Sequence, residues 1–269
     1  MTIYAQLPLP RQPWEAQVTR AAPGAFVPLQ PCKVEYVLSW NNLLSAGSAV
    51  VRMQQAGAYQ VARAQAGTTG LARALWRYDC AMTSVMQRGP LRAQYMEHSE
   101  TDARETIAYK VAFEPGQVST ETVLTPRGSS ARRSTTTCAY GPMDDLQSAI
   151  LYLRSQPLRT GDTITRVVQP FDRPYLATFT VLGREKRRVE GVDYPTIKID
   201  VKIRRLDRRT LALGSFKKMK TATIWVSDDT WRLPVEMHAS IYVGFISATL
   251  KKREELAGPD AACALPAGM

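Results

Sequence analysis

The chain has 269 residues, 45% of them hydrophobic and 22% charged. This balance suits one large β domain or two smaller ones and excludes collagen-like, low-complexity and largely disordered chains. Lys and Arg outnumber Asp and Glu by 35 to 24, a formal net charge of +11, and no run approaches the ~20 consecutive apolar residues of a membrane-spanning helix.

Residues 1–31 hold Pro8, Pro10, Pro13, Pro23, Pro28 and Pro31 without periodicity, which reads as an extended arm, since proline removes a backbone donor. Met1 to Leu9 shows no basic start followed by an apolar stretch. This leaves open both a cytoplasmic chain and one that begins after a removed leader. The folded part is expected over 32–255, as a single antiparallel β domain, with a flexible tail from 256 to 269. The cysteines are Cys32, Cys80, Cys138 and Cys263. No two make a Cys-x-x-Cys pair, so zinc ribbons and thioredoxin-like motifs find no support, and free thiols or up to two bridges in three pairings stay open.

Trp76, Tyr78, Met82 and Met86 share one face of an expected strand. On a concave sheet they are ordinary core or a face that holds an acyl chain. Ile107, Tyr109, Val111 and Phe113 alternate before the turn-like Glu114-Pro115-Gly116, and Val118 to Leu124 follows. The clearest strand is Thr196 to Arg204, where Ile197, Ile199, Val201 and Ile203 alternate with polar residues. Ala222, Ile224 and Val226 alternate next, then Val235 to Val243; Gly244 marks a bulge or turn before Ile246, Ala248 and Leu250. Period-two runs joined by short turns predict an antiparallel sheet. One segment differs: Asp144 to Ser155 places Leu146, Ile150 and Leu153 at helical spacing, with Asp144 and Gln147 as a capping box. The expected fold is therefore mainly β, a curved antiparallel sheet or open β-barrel with one helix (about 144–155) packed across it.

Catalytic and cofactor motifs are missing: no Gly-x-Ser-x-Gly elbow, phosphate loop or dinucleotide fingerprint is present. The two histidines, His98 and His238, make no close pair and read as solvent-facing. Asp228 and Asp229 invite an acid–base reading, but they end a strand and suit an Asx turn better. Tyr152 reads as packing and Arg154 as a surface ion-pair partner. No enzyme activity, metal or cofactor is expected.

The charge is concentrated. Between Arg184 and Lys220 lie thirteen Lys or Arg and five Asp or Glu, so one stretch supplies a net +8. Arg204, Arg205, Arg208 and Arg209 are its candidate anion-binding face, toward an anionic membrane surface or an envelope protein. Aromatic residues do not interleave with these cations, which argues against nucleic acid.

Three segments carry a resemblance. Val34 to Trp40, Asp145 to Arg154 with Pro157 to Asp162, and Ile224 to Asp229 with Arg232 to Val235 resemble the bacterial family named domain of unknown function 3108 over roughly residues 33–250. The resemblance implies an exported envelope protein built of antiparallel strands, with no assigned activity. It singles out Asp145, Ser148, Tyr152, Arg154, Trp225, Asp228, Asp229, Arg232 and Pro234, read as structural. The leading expectation is a non-enzymatic envelope protein that binds a lipid or other hydrophobic molecule within its curved sheet. The alternative is an assembly factor acting through its basic face.

Overall fold

A computed structural model describes residues 12–26, 30–41, 44–215, 221–240 and 245–269. Eight strands come first: β1 (Cys32–Trp40), β2 (Leu44–Ala56), β3 (Tyr59–Thr68), β4 (Tyr78–Gln87), β5 (Ala93–Asp102), β6 (Glu105–Phe113), β7 (Val118–Pro126) and β8 (Arg132–Cys138). They form an antiparallel meander interrupted by a short helix, α1 (Gly70–Leu75), between β3 and β4. After the helix α2 (Leu146–Ser155), a second set follows: β9 (Thr163–Val168), β10 (Tyr175–Val189), β11 (Val192–Leu206), β12 (Leu213–Ser215), β13 (Thr221–Ser227), β14 (Pro234–Ser240) and β15 (Phe245–Glu255). Pairing of β1 with β15 joins both sets into one sheet whose outer strands are β8 and β9, with β12 paired beside β11. The sheet stays open.

Alternation explains these strands. Along β1, Cys32, Val34 and Tyr36 are buried while Lys33 and Glu35 between them are half-exposed, the pattern of one face on a core and one in water. The run expected over 235–243 ends as β14 at Ser240; Ile241 to Gly244 lie outside the described residues, and β14 pairs antiparallel with β15 across them.

The three large core clusters show how the sheet curls. One holds the inner faces of β10, β11 and β13, as Phe179, Val181, Ile197, Ile199 and Val226, against Tyr152 and Leu153 of α2. A second joins Val34 and Tyr36 of β1, Met53 of β2, Ala62 of β3 and Met86 of β4 to Leu151 of the same helix. The third brings Met96, Val111 and Val118 of β5, β6 and β7 onto Val167, Leu176 and Leu206. Each of those last three residues has the opposite strand parity to its neighbours in the first cluster, so it leaves the other face of β9, β10 and β11. The sheet therefore rolls past itself: β5 to β8 cover the back of β9 to β11, and both of those faces are buried.

Inside the roll lies α2. Its N-cap is Asp145, whose carboxylate accepts from Ser148 N at 2.7 Å while Ser148 Oγ accepts from Asp145 N at 3.0 Å. The cap is thus one residue later than the Asp144–Gln147 spacing predicts. Asp144 instead forms a two-point salt bridge with Arg166, at 2.6 and 3.1 Å, and its backbone bridges to β9. Ser148, Ala149, Leu151, Tyr152, Leu153, Arg154 and Ser155 are all buried, so the helix is a plug rather than a lid.

The described N-terminal residues 12–26 and the C-terminal segment pack on the roll. A 3-10 turn, Pro13–Gln17, buries Trp14 in the third cluster, and its indole donates to Leu211 O at 2.9 Å. Thr19 bonds to the free edge of β9 through Thr165. The C-terminal segment lies along β2 and β3, where Cys263 N donates to Gln55 O and the Arg63 guanidinium to Ala264 O.

Candidate functional site

Three of the residues singled out by the resemblance, Arg154, Asp229 and Arg232, lie together where α2 ends. Arg154, expected at the surface, is 3% exposed; its guanidinium donates to Trp231 O at 2.7 Å and lies against Met53 Sδ. Burial pulls its pKa down to about 10 because the charged form loses water. Arg232 returns the contact, donating to Arg154 O at 3.1 Å and to Gln156 O, which satisfies carbonyls that a helix C-terminus leaves free. Its loop is held by Asp229, whose carboxylate accepts from Trp231 N and Arg232 N at 3.0 and 3.1 Å. This is the Asx turn that the sequence suggests, and Asp228 pairs with Arg184. Pro234 O accepts from the buried Tyr36 hydroxyl, and Tyr152 donates to Ala21 O while Arg166 covers its ring. The cluster holds the plug in place.

Trp225 belongs to the outer face. Its indole donates to Glu185 at 2.6 Å, Arg187 lies over the ring, and His238 meets it edge-on at 5.0 Å. Glu236, 5% exposed, accepts from Arg187 and contacts His238 Nε2 at 2.6 Å. His238 is therefore half-buried in an ion-pair cluster and not simply solvent-facing.

The four arginines of the basic block do not share one face. Arg204 and Arg205 are successive residues of β11 and leave it on opposite sides. Arg208 lies 3.7 Å from Asp172, and Arg209 is exposed. Further along the block, Arg184, Arg187, Arg188 and Lys198 pair with Asp228, Glu236, Asp193 and Glu185. Five of the block's ten described cations thus lie within ion-pair distance of a carboxylate.

The inner face of the roll is the remaining candidate. Along β4, Met86 is fully buried in the core beside α2, Met82 and Tyr78 are half-exposed, and Trp76, just before the strand, is 58% exposed. The expected apolar face thus runs from packed core to open rim. The same gradient recurs in the neighbours. Val34 and Tyr36 are buried but Leu38 is half-exposed; Met53 is buried but Ala49 is not; Ala62 is buried but Ala66 is not; Leu250 is buried but Ala248 is not. These positions pair across the sheet, Leu38 with Ala248 and Ala49 with Ala66. At the end away from α2 these small side chains stay half-exposed, while Gly47 and Thr68, next toward the rim, are buried.

A polar network sits at that end. His98, read from sequence as solvent-facing, is 8% exposed; its Nε2 lies 2.9 Å from Glu100, and its ring packs on Phe171. Glu100 also contacts Tyr78, which contacts Cys80. Burial and the Glu100 charge both push the Cys80 thiol up, the opposite of what a thiolate nucleophile requires. Among the described residues, no group of three or more His, Cys, Asp or Glu is placed to hold a metal ion, and the four cysteines are free thiols.

A rolled, open antiparallel sheet plugged by one buried helix defines a β-barrel-like class of protein. The chain belongs to the family described as protein of unknown function DUF3108, whose model matches residues 35–251. Its fold is similar to that of a β-barrel-like DUF1849 protein from Brucella abortus, with a TM-score of 0.57 at 10% identity, covering 86% of this chain and 100% of that one. A Bacteroides fragilis protein with a YmcC-like fold matches at a TM-score of 0.35 and 6% identity, over 84% of this chain and 96% of that one. Among curated proteins, none matches the sequence.

Proposed function

We propose that this is a non-catalytic envelope protein that binds an apolar molecule, such as a single acyl chain, in the open half of its rolled sheet. The observation that carries the reading is the half-exposure of Leu38, Ala49, Ala66, Tyr78, Met82 and Ala248 beyond residues packed against α2, although Gly47 and Thr68, next toward the rim, are buried again. Apolar surface left open on a concave face gains by covering, at about 25 cal/mol per Å². The filled core beside α2 limits the ligand to the end lined by Leu38, Ala49, Ala66, Tyr78, Met82 and Ala248. The envelope part of the reading is supported by the exported character that the family resemblance implies. The basic-face alternative is weaker because the block's arginines diverge and pair locally.

Native mass spectrometry of the purified protein, with organic extraction of anything bound, tests the reading. A co-purifying lipid, or saturable binding of a fluorescent fatty acid that Ala66→Phe abolishes, is the expected result. A ligand-free protein that ignores the probe overturns it.

A further inference from the structure

The end of the roll away from α2 carries a second feature, on its rim. Helix α1 places Leu71 and Leu75, one turn apart, 75% and 86% exposed, and Trp76 follows at 58%. Ala72 and Arg73 of the same helix are half-buried, and Arg73 is clamped by Asp79 at 2.7 and 3.0 Å, so the helix is fastened by one side and shows its apolar side to solvent. The rim continues apolar where β1, β2 and β15 meet. Trp40 pairs with both Leu44 and Ile246, and all three are exposed; α1 joins β2 through Thr69 N to Ala46 O. Isolated exposed leucines need no explanation, but six large apolar side chains gathered on one end do.

Arginines flank this patch. Arg77 follows Trp76 directly, and the tips of the β5–β6 and β7–β8 hairpins carry exposed Arg104, Arg127 and Arg132. The two tips touch, with Arg127 N donating to Arg104 O at 2.7 Å, and Arg77 and Arg127 line one shallow cleft. Asp79 pairs with Arg73 at 2.7 Å and lies 3.6 Å from Arg77, and Asp102 accepts from Arg104 N and Glu105 N. Against Arg73, Arg77, Arg104, Arg127 and Arg132 stand the three carboxylates Asp79, Asp102 and Glu105, so these groups together keep a net positive charge.

We propose that this rim docks on an anionic lipid bilayer, with Leu71, Leu75, Trp76, Trp40, Leu44 and Ile246 entering the headgroup–acyl boundary and Arg77, Arg104, Arg127 and Arg132 contacting the headgroups. Leucine and tryptophan beside arginine match the chemistry of that boundary, apolar below and negatively charged above. A second copy of the chain is a poorer occupant, because a symmetric contact through this patch brings the arginines together. The proposal uses a face different from the 184–220 block and does not rest on the ligand reading.

Vesicle flotation with the full chain tests it. Vesicles containing phosphatidylglycerol should float the protein at low salt, and pure phosphatidylcholine should float much less. The variant Leu71→Ser/Leu75→Ser should lower anionic-vesicle binding at least about tenfold with an unchanged circular dichroism spectrum. Should that variant misfold, Ile246→Ser provides the same test from the other side of the patch. Arg77→Ser/Arg104→Ser/Arg127→Ser should weaken binding and flatten its salt dependence. Absence of binding to anionic vesicles, binding indifferent to the apolar variants, or a concentration-dependent dimer dissolved by the same variants would each overturn the proposal. Acyl-probe binding in the wild type without vesicles separates this outcome from that of the ligand reading.

Discussion

The two ends of the rolled sheet share strands and differ in what fills them. At one end α2 lies inside, its apolar positions shared between the two meanders, its C-terminal carbonyls held by Arg232 and its N-terminus closed by Asp145 and Ser148. At the other end the same strands continue past the helix with alanines facing inward and half-exposed. Strand pairing alone therefore does not make a core here; the second layer does, and it reaches only part of the way.

Four experiments sharpen that contrast. Leu153 is fully buried at the plugged end, so Leu153→Ala should cost about 3–4 kcal/mol in a urea titration, through lost transfer energy and a cavity. A loss below about 1 kcal/mol would mean that the plug is loosely seated. Ala62 and Ala66 stand on the same face of β3, one buried and one half-exposed. Ala62→Phe should cost about 2–3 kcal/mol by overpacking, whereas Ala66→Phe should be close to neutral. Equal costs would show the open end to be filled.

Asp145 provides a pH test of the plug. Complete burial pushes its carboxyl up to about 6, although bonds from Ser148 N and Ser84 oppose the shift. With a folded pKa above the unfolded one, the stabilising contribution is present at pH below about 4 and is lost as pH rises through about 6. This group should therefore lower stability by roughly 2 kcal/mol between about pH 4 and pH 7. Asp145→Asn, which keeps an acceptor for Ser148 N, should flatten that part of the profile; an unaltered profile would place the titration elsewhere. The smallest effect is expected at the rim: Leu75→Ser, at 86% exposed, should change unfolding free energy by less than about 0.5 kcal/mol, which makes it a clean variant for vesicle binding.

Much of the architecture is legible in the sequence because strand alternation is local. Ile197, Ile199 and Val201 mark one buried face, and Leu146, Ile150 and Leu153 mark the helix, from spacing alone. The Asp229 turn follows from the short reach of an Asx side chain. Other features were hidden for definite reasons. Arg154 looks like a surface residue because burial of a guanidinium depends on the Trp231 carbonyl, far along the chain. His98 occupies an alternating run that is equally consistent with either face, until Phe171 covers it. The capping residue shifted by one because Asp144 and Asp145 are equally good caps in isolation, and the Arg166 salt bridge takes the first.

By itself the sequence determined the alternating runs that become β6, β7, β11, β13, β14 and β15, where the longer helix falls and that the excess charge sits mainly between residues 184 and 220. Tertiary structure decided the rest: that the sheet rolls past itself, that α2 is enclosed, that five of the basic block's ten described cations meet carboxylates, and that α1 and the strand ends of β1, β2 and β15 expose apolar side chains at one end. Periodicity reports that a side chain has an apolar or a polar face to serve. What meets that face is set by contacts between residues distant in the chain, and those exist only once the sheet has curled.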